Sequence, residues 1–438
     1  MTTPQKRSSN NSPSLGASLD FLLSQICLVW FQICGYSVMY SHRSFKTKAS
    51  LMFNSAVAAL NAPPVSTVLD WKSSYDNTNG PLIDMSQAVP GYAAHDDILT
   101  SLAVAAVDPT LARYGPVEGD PEFRTAYANH VGQIYDAKIM ADEVQVTSGC
   151  NQAFVAAVLA TAGHGDSIMM MRPCYFNHES ALSMLGIGID YVDCDADADL
   201  LPKLSDIDAS IKPTTRAVAL VSPNNPAGSI YPAELLDDIL TLCQRHGIWL
   251  IIDETYRDFL PLNMRLPHRL FARDNWQSNL IQLYSFSKSY CLPGHRLGAI
   301  IAGREVISQL AKIIDNIQIC APRIVQKALT PMLASMAKWR QKNRERIAAR
   351  AAVFRGVMAN TPGWDLLSSG AYFGYVRHPY SNVDSIQIAK NLASKAGVLV
   401  IPGTFFGAGQ GDALRFAFAN AGRDVIAQLG DRLKDVPL

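Results

Sequence analysis

Between residues 144 and 302 the chain alternates short, nearly continuous apolar runs with longer stretches in which apolar positions recur every three or four residues. The first kind predicts strands, at Ser167–Met171, Asp190–Cys194, Ala217–Ser222, Ile248–Asp253, Leu280–Tyr284 and Ala299–Ala302, with a short β-branched run from Val144. The second predicts helices over Gln152–Ala162, Asn177–Leu185 and Pro232–Gly247. Runs such as AVALVS and IWLIID do not alternate apolar with polar, so those strands are buried on both faces. That pattern predicts a mainly parallel, doubly wound sheet with helices on either side. Before it, Phe53–Leu69 reads as helix interrupted by Pro63 and Pro64. From about Pro322 the pattern changes to one long charged helix over Gln326–Asn360. An apolar strand at Gly370–Tyr375, a helix at Asp384–Ala396, a strand at Val398–Pro402 and a last strand at Leu414–Ala419 follow. The chain therefore divides into an extension (1–52), an arm (53–90), a large α/β domain (91–322) and a smaller α+β domain (323–438).

Composition narrows the function classes. Apolar residues make up 48% and charged residues 17%, which describes a packed globular chain. The 38 basic and 38 acidic residues cancel, so no basic field exists to recruit nucleic acid. The eight cysteines form no C-x-x-C pair and no Cys/His cluster, which argues against a zinc site and favours a reducing, cytoplasmic compartment. One stretch disturbs this picture. Phe21–Tyr40 is strongly apolar and close to the ~20 residues that span a bilayer, flanked by Lys6 and Arg7 before and Arg43, Lys46 and Lys48 after. A membrane anchor is one reading. Gln25 and Gln32 weaken it; an extension ahead of a start at Met52 is the other reading and the preferred one, because the family resemblance given below begins immediately after Met52.

The chemistry gathers where strands end, which is where ligands sit in parallel sheets. Leu283–Ile301 reads LYSFSKSYCLPGHRLGAII. Lys288 stands among Ser285 and Ser287, with Arg296 downstream. A lysine amine bonds to an aldehyde, and hydroxyls with a guanidinium hold a phosphate, so the set suits a phosphorylated aldehyde cofactor. In Val144–Ala153, VQVTSGCNQA, a strand gives way at Gly149 to a helix whose free N–H groups at Cys150 and Asn151 make an anion site. Arg415 is a single cation in the apolar strand LRFAFA. A half-buried guanidinium needs an anion, either a ligand carboxylate or an internal salt-bridge partner.

Taken together, S-F-S-K followed by G-H-R-L-G resembles the lysine motif of the class I/II aminotransferases, pyridoxal-phosphate enzymes of fold type I. The resemblance runs from about Phe53 to the C-terminus, and further residues fall in the family's order. It implies that Lys288 bonds the cofactor and moves the substrate proton, and that Asp253, at the end of IWLIID, keeps the pyridine nitrogen protonated. It implies that Tyr256 and Asn225 bond the cofactor's phenolic oxygen, that Tyr175 stacks on the ring, and that Gly149, Cys150, Asn151, Ser285, Ser287 and Arg296 hold the phosphate. Tyr114, in a Y-x-x-x-x-G pattern ending at Gly119, reaches the neighbouring subunit's phosphate, which implies a homodimer. Arg415 and Asn225 bind the substrate carboxylate. Asp120 is placed to cap the helix from Pro121. The segment Pro81–Tyr92 forms a loop at the mouth of the site, with Ala88 where the family often has glycine.

The activity implied is transfer of an amino group from an amino acid to a 2-oxo acid by a ping-pong mechanism. A carbon–sulfur β-lyase on the same fold is the alternative. A non-catalytic amine sensor is disfavoured, because no helix-turn-helix signal precedes the fold. Substrate choice stays open: Arg323 could read an acidic side chain or sit at a subunit interface, and Tyr92, Tyr372 and Phe405 could shape a bulky apolar pocket.

Overall fold

The computed structural model describes residues 53–434; the apolar segment at 21–40 lies outside them. In chain order the strands are β1 (Ile83–Asp84), β2 (Val144–Thr147), β3 (Ser167–Arg172), β4 (Gly188–Asp193), β5 (Thr215–Val221), β6 (Trp249–Asp253), β7 (Leu280–Ser285), β8 (Gly298–Ala302), β9 (Asp365–Gly370), β10 (Phe373–Arg377), β11 (Val398–Leu399), β12 (Ile401–Pro402) and β13 (Ala413–Phe416). Seven of them form one sheet in the order β2-β8-β7-β6-β5-β3-β4. From β7 to β4 every neighbouring pair is parallel, and β8 alone runs against both its neighbours. Every residue of β2, β5 from Ala217 and β7 is buried, as near-continuous apolar runs require. Two apolar layers, one on each face, enclose the sheet.

Register sets the site's level. Val221 of β5 pairs with Asp253 of β6, and Asp253 pairs with Leu283 of β7. Ser285 of β7 pairs with Gly298 of β8, which pairs with Thr147 of β2. The carboxyl ends of β5, β6 and β7 thus finish on one line, and the segments carrying Asn225, Asp253 and Lys288 start from it.

A second sheet of four antiparallel strands, β12-β13-β10-β9, lies within 323–438, and β1 of the arm pairs with β11. The helix Ala337–Ala359 covers this sheet, burying Asn343, Ile347, Arg350, Ala351, Phe354 and Met358 at helical spacing. Its Arg340 also pairs with buried Asp258, 2.7 Å away, just beyond β6.

Four expectations need correction. The long charged helix is broken into Arg323–Leu329, Met332–Ser335 and Ala337–Ala359. Pro331 cannot supply the N–H that an unbroken helix requires there. The apolar run at Gly370–Tyr375 is the corner of a hairpin: β9 ends at Gly370, Ala371 turns with φ 44°, and β10 starts at Phe373. Val398–Pro402 splits into β11 and β12, which belong to different sheets. Asp120 stands at the helix N-cap, but its side chain makes no capping bond; it pairs with Arg323 at 3.0 Å.

Candidate active site

A cavity of about 250 Å³ opens at the carboxyl ends of β5, β6 and β7. Cys150, Asn151, Tyr175, Asn225, Asp253, Tyr256, Ser285, Ser287, Lys288, Arg296 and Arg415 all line it. Gly149 adjoins it as the residue ahead of the helix Cys150–Thr161, which starts two residues earlier than its apolar pattern suggests. Tyr114 is not among the lining residues; its side chain is 78% exposed.

One end of the cavity is built for an anion. Gly149 adopts φ +87°, and a Cβ there would fall 2.3 Å from Arg296 Nη2, so only glycine fits. A Cβ on Gly298 would in turn lie 2.6 Å from the Gly149 carbonyl carbon, which explains that glycine too. Arg296, itself at φ 51°, is fixed by the Pro293 and Ser148 carbonyls at 3.0 and 3.3 Å. Behind it stand the unpaired N–H groups of the first helical turn and the Ser285 and Ser287 hydroxyls. This cradle fits a phosphate.

The floor carries a buried carboxylate. Asp253 Oδ1 accepts from the Thr255 amide at 2.9 Å, and Oδ2 faces His178 Nε2 at 3.5 Å. Burial raises its carboxyl, but His178 and Thr255 outweigh that and hold it below the usual carboxylate value. It is therefore ionised and aimed at the cavity, as a protonated ring nitrogen would need. His178 itself is stacked on Phe154, ring centroids 3.7 Å apart. His178 lies one helical turn after Tyr175, but its partners Phe154 and Asp253 are distant in the chain, so only the fold singles it out.

Lys288 follows β7 and donates to the Ala88 carbonyl. Protein surrounds its amine closely although the cavity leaves the side chain partly open. Burial first, then the Arg415 and Arg296 charges, bring its pKa down from 10.5 to about 8, with Asp253 opposing. The neutral amine that a nucleophile and proton carrier needs is thus far more accessible near neutral pH than for an ordinary lysine. Its nitrogen lies 6.0 Å from the centre of the Tyr256 ring. Burial keeps the Tyr256 phenol protonated, so it is a donor. Tyr175 is likewise pushed up to about 12 by burial and accepts from Asn177 Nδ2 at 2.8 Å.

Arg415 is 2% exposed, more buried than the half-buried position expected. Its guanidinium carbon lies 5.0 Å from the Phe373 ring centre and 5.3 Å from that of Phe406. Nη1 donates to Asn225 Oδ1 at 2.9 Å and Nη2 to the Ser86 carbonyl. Nε has no partner, and among the described residues no carboxylate pairs with this arginine. Burial lowers its pKa to about 10, leaving it charged at neutral pH. An internal salt bridge is thereby set aside, and a buried cation facing a cavity calls for an anionic ligand. The two asparagines of the Pro223–Gly228 turn divide the work. Asn224 Oδ1 accepts from the Ala227 amide at 3.0 Å and shapes the turn, which frees Asn225 for Arg415.

The Pro81–Tyr92 segment does sit at the mouth: Gln87, Ala88 and Val89 line the cavity, as do Val65 of the arm and Phe176. The arm and backbone contributions of Val65, Ser86 and Ala88 carry no side-chain chemistry and were not readable beforehand.

Comparison with known proteins agrees with this geometry. Residues 75–433 match the family described as aminotransferase class I and II. The chain is 30% identical over 332 residues to an aromatic aminotransferase of Arabidopsis thaliana, covering 73% of this chain and 81% of that protein. It is 27% identical over 377 residues to a valine–pyruvate aminotransferase of Mycobacterium tuberculosis, covering 83% and 94%. Among solved structures, the aspartate aminotransferase of Thermus thermophilus with maleate shares the fold, with a TM-score of 0.80 at 21% identity over 88% of this chain and 100% of that one. A match across most of the chain, joined to a lysine, a carboxylate and two arginines around one cavity, makes this protein an aminotransferase of class I and II.

Proposed function

We propose that this chain carries pyridoxal phosphate in the cavity and runs a ping-pong transamination between an amino acid and a 2-oxo acid. The observation that supports it best is the convergence of Lys288 and Arg296 from the β7–β8 connection, Asp253 from the end of β6 and Arg415 from β13 on one cavity. Gly149, Cys150, Asn151, Ser285, Ser287 and Arg296 would hold its phosphate, and Tyr175 would cover its ring. Asp253 would keep the ring nitrogen protonated, and Asn225 and Tyr256 would bond the phenolic oxygen. When bound, the cofactor supplies the electron sink that makes the substrate's Cα–H bond acidic.

The remaining work falls to the chain. Arg415 takes the substrate α-carboxylate in a two-pronged contact, assisted by Asn225. That contact fixes the substrate's orientation relative to Lys288, which removes the proton from Cα and holds it for return. A neutral resting amine, which burial favours, is the protonation state this needs.

A homodimer belongs to the same proposal. The exposure of Tyr114 supports it, because the residue is free to reach a second copy. A cytoplasmic location is supported by the free thiols of the six described cysteines. No helix among the described residues is long and apolar enough to cross a membrane.

The test is dependence on the second substrate. Purified holoenzyme should form a new amino acid only when donor and 2-oxo acid are both present, with parallel double-reciprocal lines. Release of ammonia and a 2-oxo acid from the donor alone would assign the site to β-elimination instead.

A further inference from the structure

The charges of the cavity are few enough to account for singly, and the account bears on the substrate. Among the described residues its lining contains four ionisable charges: Asp253, Lys288, Arg296 and Arg415. Arg296 is tied to the Ser148 and Pro293 carbonyls at the phosphate end. Asp253 is held by His178 and Thr255 beneath the ring position. That leaves Arg415 to meet the substrate's carboxylate and Lys288 to face its reacting Cα end.

One loop spans these two groups. The Ser86 carbonyl receives Arg415, and the Ala88 carbonyl receives Lys288. A substrate held at both ends places its Cα alongside this loop, and its side chain leaves towards Gln87, Ala88 and Val89. Val65 and Phe176 complete that wall. The Phe176 ring lies 5.5 Å from Phe406, the ring that packs on Arg415, so the apolar wall is continuous with the carboxylate anchor. Gln87 is its one polar side chain, and it is uncharged. Arg323, the candidate reader of an acidic side chain, is committed to Asp120 at 3.0 Å and to the Thr110 carbonyl at 2.9 Å, outside the cavity.

We propose that the substrates are amino acids with neutral, apolar side chains, aliphatic, thioether or aromatic, and that dicarboxylic amino acids are rejected. The inference rests on the transamination reading. Its physical ground is desolvation. A second carboxylate closed in against Val65, Val89 and Phe176 would lose its water and gain no counter-charge from this wall, whereas an apolar side chain gains by burial.

The experiment mixes holoenzyme with leucine, methionine, phenylalanine, aspartate and glutamate separately, without 2-oxo acid, and follows the cofactor absorbance through the half-reaction. The best neutral donor should convert the cofactor on the order of a hundredfold faster than either acidic one, at equal concentrations below saturation. The unreactive analogues 4-methylpentanoate and glutarate should rank in the same order when their binding is read from the cofactor spectrum. Val89→Arg should narrow the gap by raising glutarate affinity about tenfold, the gain of one ion pair within the wall. Aspartate or glutamate reacting within about tenfold of the best neutral donor would overturn the inference while leaving transamination standing. No conversion by any of the five would also overturn the inference, whereas transamination itself fails only if no donor and 2-oxo acid pair yields a new amino acid.

Discussion

Arg415→Lys keeps a buried positive charge but removes the fork. In the native site the guanidinium is held between Phe373 and Phe406, spends Nη1 on Asn225 and Nη2 on Ser86, and still carries an unpartnered Nε. Lysine is a point charge with no planar surface to lie between two rings, and it cannot meet two carboxylate oxygens in one plane. The substrate therefore loses at least one charge-assisted hydrogen bond, worth about 1.5–3 kcal/mol. At about 1.4 kcal/mol per tenfold, kcat/KM for an α-amino acid should fall by about 10- to 150-fold. The informative quantity is selectivity. Single-turnover rates are measured for an amino acid and for the amine left when its carboxylate is removed. The native enzyme should prefer the amino acid strongly, and the variant should lose most of that preference with its cofactor spectrum unchanged. Equal losses on both substrates would refute the assignment and make Arg415 a structural cation whose charge is balanced by something other than substrate.

Three further outcomes are expected. Asp253→Ala should retain cofactor, since the phosphate cradle is elsewhere, yet turn over about 30 to 5,000 times more slowly, matching a lost buried charge pair of about 2–5 kcal/mol; near-normal turnover in the loaded variant would contradict its role at the ring nitrogen. In cofactor-free protein, the rate of pyridoxal phosphate capture should climb with pH with a midpoint near 8, because the reactive form of Lys288 is the neutral amine and its pKa is lowered to about 8; a midpoint near the ordinary lysine value would mean the amine is not desolvated. Mixing inactive Lys288→Ala with an inactive Tyr114→Glu variant, under conditions of proven subunit exchange, should restore part of the activity through hybrid dimers, and recovery of none would place Tyr114 outside the neighbour's site.

How much of this was legible beforehand depended on the scale of the signal. The strands β3, β5, β6 and β7 announce themselves because burial on both faces forces nearly unbroken apolar runs, and the ends of the last three carry Asn225, Asp253 and Lys288 onto one edge. Gly149 and Arg296 were legible as types, but the reason glycine is required is a tertiary one: Arg296 occupies the space of its Cβ. The hairpin corner at Ala371 was hidden, since an alanine at φ 44° lacks the usual turn residue at that position. The break at Pro331 is written in the sequence, because proline has no N–H to give, yet the helix-forming residues on both sides mask it. His178 was missed because a lone histidine on a helix has no meaning until Phe154 and Asp253 are seen beside it. The roles of the Ser86 and Ala88 carbonyls could not be read at all, because backbone acceptors are the same for every residue type.

The central claim is that Lys288 is the amine that bonds the cofactor. Reducing the holoenzyme with borohydride fixes that bond, and peptide mapping by mass spectrometry locates it. The account predicts one labelled peptide, carrying the phosphopyridoxyl mass on Lys288. A label on any other lysine, or a fully loaded enzyme that yields none, would contradict it.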